Sequence, residues 1–363
     1  MNRKKTALSV AAGGTAIGVV GLILIATPAG ADETPPALPA ISAEALVQSV
    51  LTTDVPALSG AVELRNNIGL PIPGLPQSSP GEAIAHVYAD GSGRGRLAVQ
   101  ERGGEHTVVR DGQTTWLWSS ADRTVVKYTG SVDHADKADA ADKMADPATA
   151  ARDLVGLMQR DSTISVDGTA KVADRPVYQL VLTPKPTERT LLREIRVSVD
   201  SETRLPLRLD VMANGQADPA LRVGFTEFST GPQNPSLFSF TPPAGAKITE
   251  FGDQDKPTEA QRNQFIDGLD AKVVGEGWDT VLTGKIPADL VKNSGTPQRE
   301  GKAGKADVNP LGMLKQLGKE VSGPFGTGYV ISTKVGTALV TTDGRVAIGA
   351  VPQQVLVDAL GQK

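Results

Sequence analysis

The chain has 363 residues, 39% of them hydrophobic and 21% charged, with a formal net charge of −4. That is enough apolar material for one large core or two smaller ones, and the acidic balance argues against nucleic acid as a partner. There is no cysteine, which excludes a disulfide framework and a lipid anchor carried on cysteine, so the fold rests on its core.

The amino end has the layout of a targeting segment. Arg3, Lys4 and Lys5 give it a positive start, residues 6–27 carry no charge, and Ala29-Gly30-Ala31 supplies a small-x-small cleavage site before Asp32. Cleavage there makes 1–31 a signal peptide and moves the net charge from −4 to −7. The apolar run is about long enough to span a bilayer, so a retained membrane anchor is the alternative; Pro28 and the small residues before Asp32 favour cleavage. Either route puts the rest of the chain outside the cytoplasm.

Residues 32–41 are a proline-rich tether. Ser42 caps a helix expected over 42–55, with Glu44 in its first turn and Leu46, Val47, Val50 and Leu51 on one face. A short strand follows at 61–65. The loop at 66–77 contains Pro71, Pro73 and Pro76, which deny it regular structure, yet it carries Ile68, Leu70, Ile72 and Leu75. Such a loop either plugs its own core or forms a lid or partner surface.

From residue 83 the pattern is a meander, with strands at 86–89, 95–101, 107–110, 114–119 and 124–128. Asp90-Gly91, Gly103-Gly104 and Asp111-Gly112 mark hairpin turns between antiparallel neighbours. Trp116 and Trp118 share one face of the fourth strand. They are either plain core or the lining of an apolar cavity. Residues 131–146, rich in Ala, Asp and Lys, form a solvated helix or a loop. Asp146-Pro147 then starts a helix whose buried side is Leu154, Val155, Leu157 and Met158.

A second run of strands is expected at 163–166, 169–172, 177–183, 191–199, 205–212 and 221–228, with Asp167-Gly168 as a turn. It closes on a strand from Leu237 in which Phe238 and Phe240 share a face and Pro242-Pro243 stop the ladder. These runs define a domain over 42–252. A linker at 253–270 leads to a smaller α+β domain over 271–363, with a disordered insert near 293–309. In that domain strands are expected at 328–332, 337–341 and 346–350, and a closing helix at 352–360.

Catalytic and metal chemistry finds no support. His86 and His106 read as strand-surface residues, and His134 with Asp133, Asp136, Asp139 and Asp142 reads as a solvated face rather than a divalent-cation site. No G-x-S-x-G elbow or phosphate loop is present. The expectation is therefore a protein that is not an enzyme, with no metal and no cofactor.

Several segments together resemble a known group. They are Val109-Arg-Asp-Gly-Gln-Thr-Thr-Trp-Leu-Trp with Val125-Val-Lys-Tyr, Val177-Tyr-Gln-Leu-Val-Leu-Thr-Pro-Lys, Val197-Ser-Val-Asp with Leu205-Pro-Leu-Arg-Leu, and Leu237-Phe-Ser-Phe-Thr-Pro-Pro-Ala-Gly-Ala. Their order over residues 42–250 resembles the LolA/LolB lipoprotein carriers and the related amino-terminal domain of RseB/MucB. The resemblance implies an α+β molecule with an antiparallel half-open β-barrel covered by helices, the helices near 42–55 and 146–159 forming the cover. It implies a lipid or lipoprotein acyl chain as ligand, against Trp116, Trp118, Leu154, Met158, Phe225, Phe238 and Phe240. An anti-sigma factor or a membrane transporter is the protein partner it implies. The second domain makes the layout more like RseB/MucB, whose role as an envelope sensor acting on an anti-sigma factor is the alternative function. Arg94 and Arg96 lie nearest the carriers' functional arginine, and that role is not transferred to them.

Overall fold

A computed structural model of the chain describes residues 35–69, 82–101, 103–129, 159–252, 270–286 and 318–361. Ser42 opens the first helix, α1 (Ala43–Thr52), its side-chain oxygen accepting from the Ala45 amide at 3.1 Å. That bond satisfies one of the amides a helix start leaves orphaned. The chain then runs through β1 (Ala57–Asn66), β2 (Ala85–Asp90), β3 (Gly95–Glu101), β4 (Gly104–Arg110), β5 (Thr114–Ser119) and β6 (Thr124–Thr129). It resumes with β7 (Ser162–Val172), β8 (Arg175–Pro184), β9 (Leu192–Asp200), β10 (Pro206–Ala213), β11 (Leu221–Thr230) and β12 (Lys247–Phe251).

These strands make one sheet in the order β12-β6-β5-β4-β3-β2-β1-β11-β10-β9-β8-β7. Two meanders, β1–β6 and β7–β11, are joined where β1 and β11 pair antiparallel. Only β12 runs parallel to its neighbour, β6. One buried cluster combines Leu58, Ala85 and Leu97 of β1–β3 with Val172 and Val177 of the β7–β8 hairpin and with Leu205, Leu207 and Phe225. Strands far apart in the sheet order share that cluster, so the sheet curls, as twisted sheets of this width do.

Two expectations are corrected. Asp167-Gly168 is no turn: β7 runs unbroken through it, with a register shift between Val166 and Thr169 and Gly168 at φ +78°. The Asp-Gly pair is absorbed as a bulge that accepts the positive φ. The segment from Leu237 is no strand either. It forms a single 3-10 turn, Pro235–Phe238, capped by the Asn234 side chain, and runs irregularly to β12. Pro235, Pro242 and Pro243 cannot donate to a ladder.

The carboxyl-terminal part is a second, six-stranded antiparallel sheet, built of β13 (Lys272–Val274), β14 (Val281–Lys285), β15 (Lys319–Gly323), β16 (Gly326–Ser332), β17 (Thr337–Thr341) and β18 (Arg345–Gly349). One face carries α2 (Gln353–Gly361), where Val355, Leu356 and Ala359 meet Val281, Leu339 and Ala347.

A seam joins the sheets. The Leu191 amide and the Thr190 hydroxyl both donate to the Ala350 carbonyl, at 2.8 and 2.7 Å. The Trp278 indole donates to Ser162 Oγ at 2.7 Å, and its amide to Glu188 Oε2 at 2.9 Å. Beside it, a Cβ on Gly277 would fall 2.6 Å from Asp161 Cβ, at φ +63°. Only glycine leaves room there for the Asp161 and Glu188 side chains. Ile68 is the other anchor: it is buried with Ala213, Ala220 and Val335, and its carbonyl accepts from the Lys334 amide at 2.8 Å.

Candidate functional site

The faces of the large sheet differ in chemistry, and register decides which residue belongs to which. Leu46 and Val47 of α1 bury against Tyr178, Leu180, Leu182 and Val199. From there cross-strand partners stay on one face: Leu180 opposite Val197, Val197 opposite Leu209, Leu209 opposite Val223, and Val223 opposite Leu64. Along β1 the same face holds Leu58, Gly60 and Val62. It continues as Gly60 opposite Val87, then Leu97, Val108, Leu117 and Val126.

An apolar row thus crosses the α1 face, flanked on β4 and β5 by His106, Arg110, Thr115 and Ser119. Val109 and Val125, with no exposed surface, lie on the other face, and the curl closes toward the α1 side. Gly60 is part of that closure, since a Cβ there would sit 2.2 Å from the Phe225 ring. Toward β4–β6 the face opens. Leu117 is 37% exposed, Tyr128 48% and Phe251 36%, and the Tyr128 and Phe251 rings stack with centroids 5.3 Å apart. Val108 and Val126 are half-buried between them and the core. A strip of hydrocarbon and aromatic surface that is continuous with a core, yet open, is a candidate binding surface.

Trp116 and Trp118 lie on the opposite face, because Leu117 between them is on the α1 face. There Trp116 meets Phe240, ring centroids 5.6 Å apart, and the Lys127 ammonium stands 5.4 Å from the Trp116 ring. Phe238 is buried beneath the Arg94 guanidinium, 5.3 Å from its ring. The two tryptophans, Phe238 and Phe240 therefore belong to a patch in which the β11–β12 connection covers the sheet from outside. They do not share a chamber with Phe225, which is fully buried on the α1 face. Of the other expected residues, Ile68 is part of the seam, while Leu154, Met158, Leu70, Ile72 and Leu75 lie outside the described residues.

The face that bears the tryptophans also holds a buried charge ladder. Arg222 binds Asp210 through two nitrogens, at 2.5 and 3.1 Å, Arg208 lies 3.4 Å from Asp210, and Arg65 lies 3.0 Å from Glu63. Burial pushes the Arg208 guanidinium down to about 10 against the opposing pull of Asp210 and Glu63. Strands β1, β11 and β10 supply these charges, so the ladder ties their register. Among the described residues no group of three or more His, Cys, Asp or Glu is arranged to hold a metal, and no helix is long and apolar enough to cross a membrane.

Leu117, Val126, Tyr128 and Phe251 were not among the residues that the sequence singled out. The signal was present in the alternation itself, because a leucine flanked by two tryptophans faces away from both.

No protein-family model and no curated protein matches the chain. Among solved structures it is similar to MucB in complex with MucA(peri), at 15% identity and a TM-score of 0.41, covering 87% of this chain and 94% of that one. The Pseudomonas aeruginosa MucA/MucB complex gives 16% identity and a TM-score of 0.38, covering 87% of this chain and 94% of that one. A LolA superfamily protein from Nitrosomonas europaea gives 10% identity and a TM-score of 0.22, covering 55% of this chain and 99% of that one. The structural neighbours are MucB and LolA-superfamily proteins, the group that the sequence resembles.

Proposed function

We propose that the protein is an extracytoplasmic, non-catalytic binder of a lipid or lipoprotein acyl chain, held in the half-barrel of the large sheet. The tail lies on the α1 face, across Val108, Leu117 and Val126 toward Tyr128 and Phe251. The observation that carries this reading is the exposed apolar row of Leu117, Tyr128 and Phe251, which continues from the buried core through Val108. Each methylene removed from water contributes about 0.8 kcal/mol, so a dozen supply roughly 9 kcal/mol before ordering costs. Useful affinity then needs shape and apolar lining only. The test is native mass spectrometry of detergent-free material, followed by titration with a fluorescent fatty acid. Lipid should be recovered and the probe taken up, and Leu117→Arg should weaken uptake about tenfold or more, since it sets a charge on the tail's path. Empty protein that takes up no probe would overturn the reading.

A second reading is an envelope sensor that holds the extracytoplasmic part of an anti-sigma factor. Its support is a row on the second sheet's face away from α2: Val273, Leu282 and Ile348, each 50% exposed, are cross-strand neighbours. Replacing Leu282 and Ile348 by Glu separates the two readings. A carrier keeps its lipid uptake, whereas a sensor loses its protein partner.

A further inference from the structure

The seam between the sheets encloses an open cleft of about 510 Å³. Leu182, Leu192 and Ile195 of β8 and β9 line one side, and Trp278 and Ala350 the other. Asp161, Ser162 and Thr280 also line it, and among the described lining residues Asp161 alone is charged. The volume lies within the range of small-ligand sites, about 300–1,000 Å³. Its position is fixed from both sides by the Trp278 bonds to Ser162 and Glu188 and by the backbone bond from Leu191 to Ala350.

We propose that this cleft is a second ligand site, distinct from the strip over β4–β6, and that it takes a single-tailed amphiphile whose uncharged head group carries hydroxyl donors. The tail packs on Leu182, Ile195 and the Trp278 ring. The head meets Asp161, whose carboxylate accepts hydrogen bonds and repels an anionic head. Ser162 Oγ accepts from the indole, and its hydroxyl, which donates to no side chain or carbonyl among the described residues, would meet a head-group oxygen. A monoacylglycerol fits these demands and a fatty acid does not.

The test uses the full chain with Trp116→Phe and Trp118→Phe, which leaves Trp278 as the lone indole. Monoacylglycerol with a brominated tail, kept below its aggregation limit, should quench Trp278 emission saturably. The brominated fatty acid should bind about tenfold more weakly at neutral pH, a difference of about 1.4 kcal/mol. Asp161→Asn should remove most of that discrimination. Ala350→Phe, which fills the cleft and leaves the carbonyl that binds Leu191 in place, should abolish quenching, while Leu117→Arg should leave it intact. Quenching lost with Leu117→Arg and kept with Ala350→Phe would place the ligand on the strip and overturn the proposal. So would the absence of saturable quenching, or a fatty acid that binds as tightly as the monoacylglycerol. Failure of the strip reading shows separately, as missing fatty-acid uptake in the unmodified chain.

Discussion

Asp200 ends β9 with no exposed surface, and its partners contribute to how the chain responds to acid. Burial works to raise its carboxyl, but hydrogen bonds from Arg175 at 2.9 and 3.1 Å, and from the Thr203 amide and hydroxyl at 2.8 and 2.7 Å, outweigh it and hold the group below its usual range. A carboxyl lowered on folding stabilises the native state above its unfolded value of about 3.9, and that contribution is lost as pH falls through the folded value. Asp200→Asn should therefore cost about 2 kcal/mol at neutral pH, discounted for the partial exposure of Arg175. Urea denaturation should show the gap between wild type and variant narrowing below about pH 4. A gap that stays constant down to pH 2–3 would mean that the ion pair is not the cause.

At the scale of elements, the β11–β12 connection acts as an external strap. All of β12 is exposed. It is held by its pairing to β6, by the Arg123 guanidinium donating to the Ala244 carbonyl at 2.6 Å, by Lys127 and Glu250 at 3.4 Å, and by Phe240 on Trp116. Phe240→Ala should uncover Trp116, shift the tryptophan emission to the red and cost about 1–2 kcal/mol, less than a buried ring because Phe240 is half-exposed. Acyl uptake should not change, since the strip is on the other side of the sheet. Uptake that falls as far as in Leu117→Arg would return the site to the tryptophan face. The hairpins of β2–β5 were legible because Asp-Gly and Gly-Gly turns mark them, and the shared side of Trp116 and Trp118 followed from the two-residue period. Which side faces the core was not legible, because alternation is symmetric and both faces of this sheet carry apolar cover. Phe238-x-Phe240 looked like a strand for the same reason, as its alternation outweighed the prolines around it. Pairing of β12 with β6 is parallel and distant in sequence, so no turn announces it.

For the molecule as a whole, the question is whether the two sheets unfold together. The seam's ion pairs, Arg189 with Asp279 at 3.5 Å and with Asp358 at 3.3 Å, are largely exposed and contribute little. Trp278 contributes more, because it packs against the α1 cluster of the large sheet while its indole and amide bind Ser162 and Glu188. Trp278→Ala removes that ring and the indole bond to Ser162 while keeping the amide bond to Glu188, a loss of about 3 kcal/mol. Most of it falls on the coupling between the sheets, since β14, β18 and α2 keep their own core. Calorimetry should then show one transition for the wild type and two for Trp278→Ala, with the smaller sheet melting first because it has less apolar area to bury. Arg189→Ala should leave a single transition, shifted by less than about 1 kcal/mol. Two transitions in the wild type would mean that the seam is a contact without coupling, and ligand held at one sheet would then have no route through it to the other.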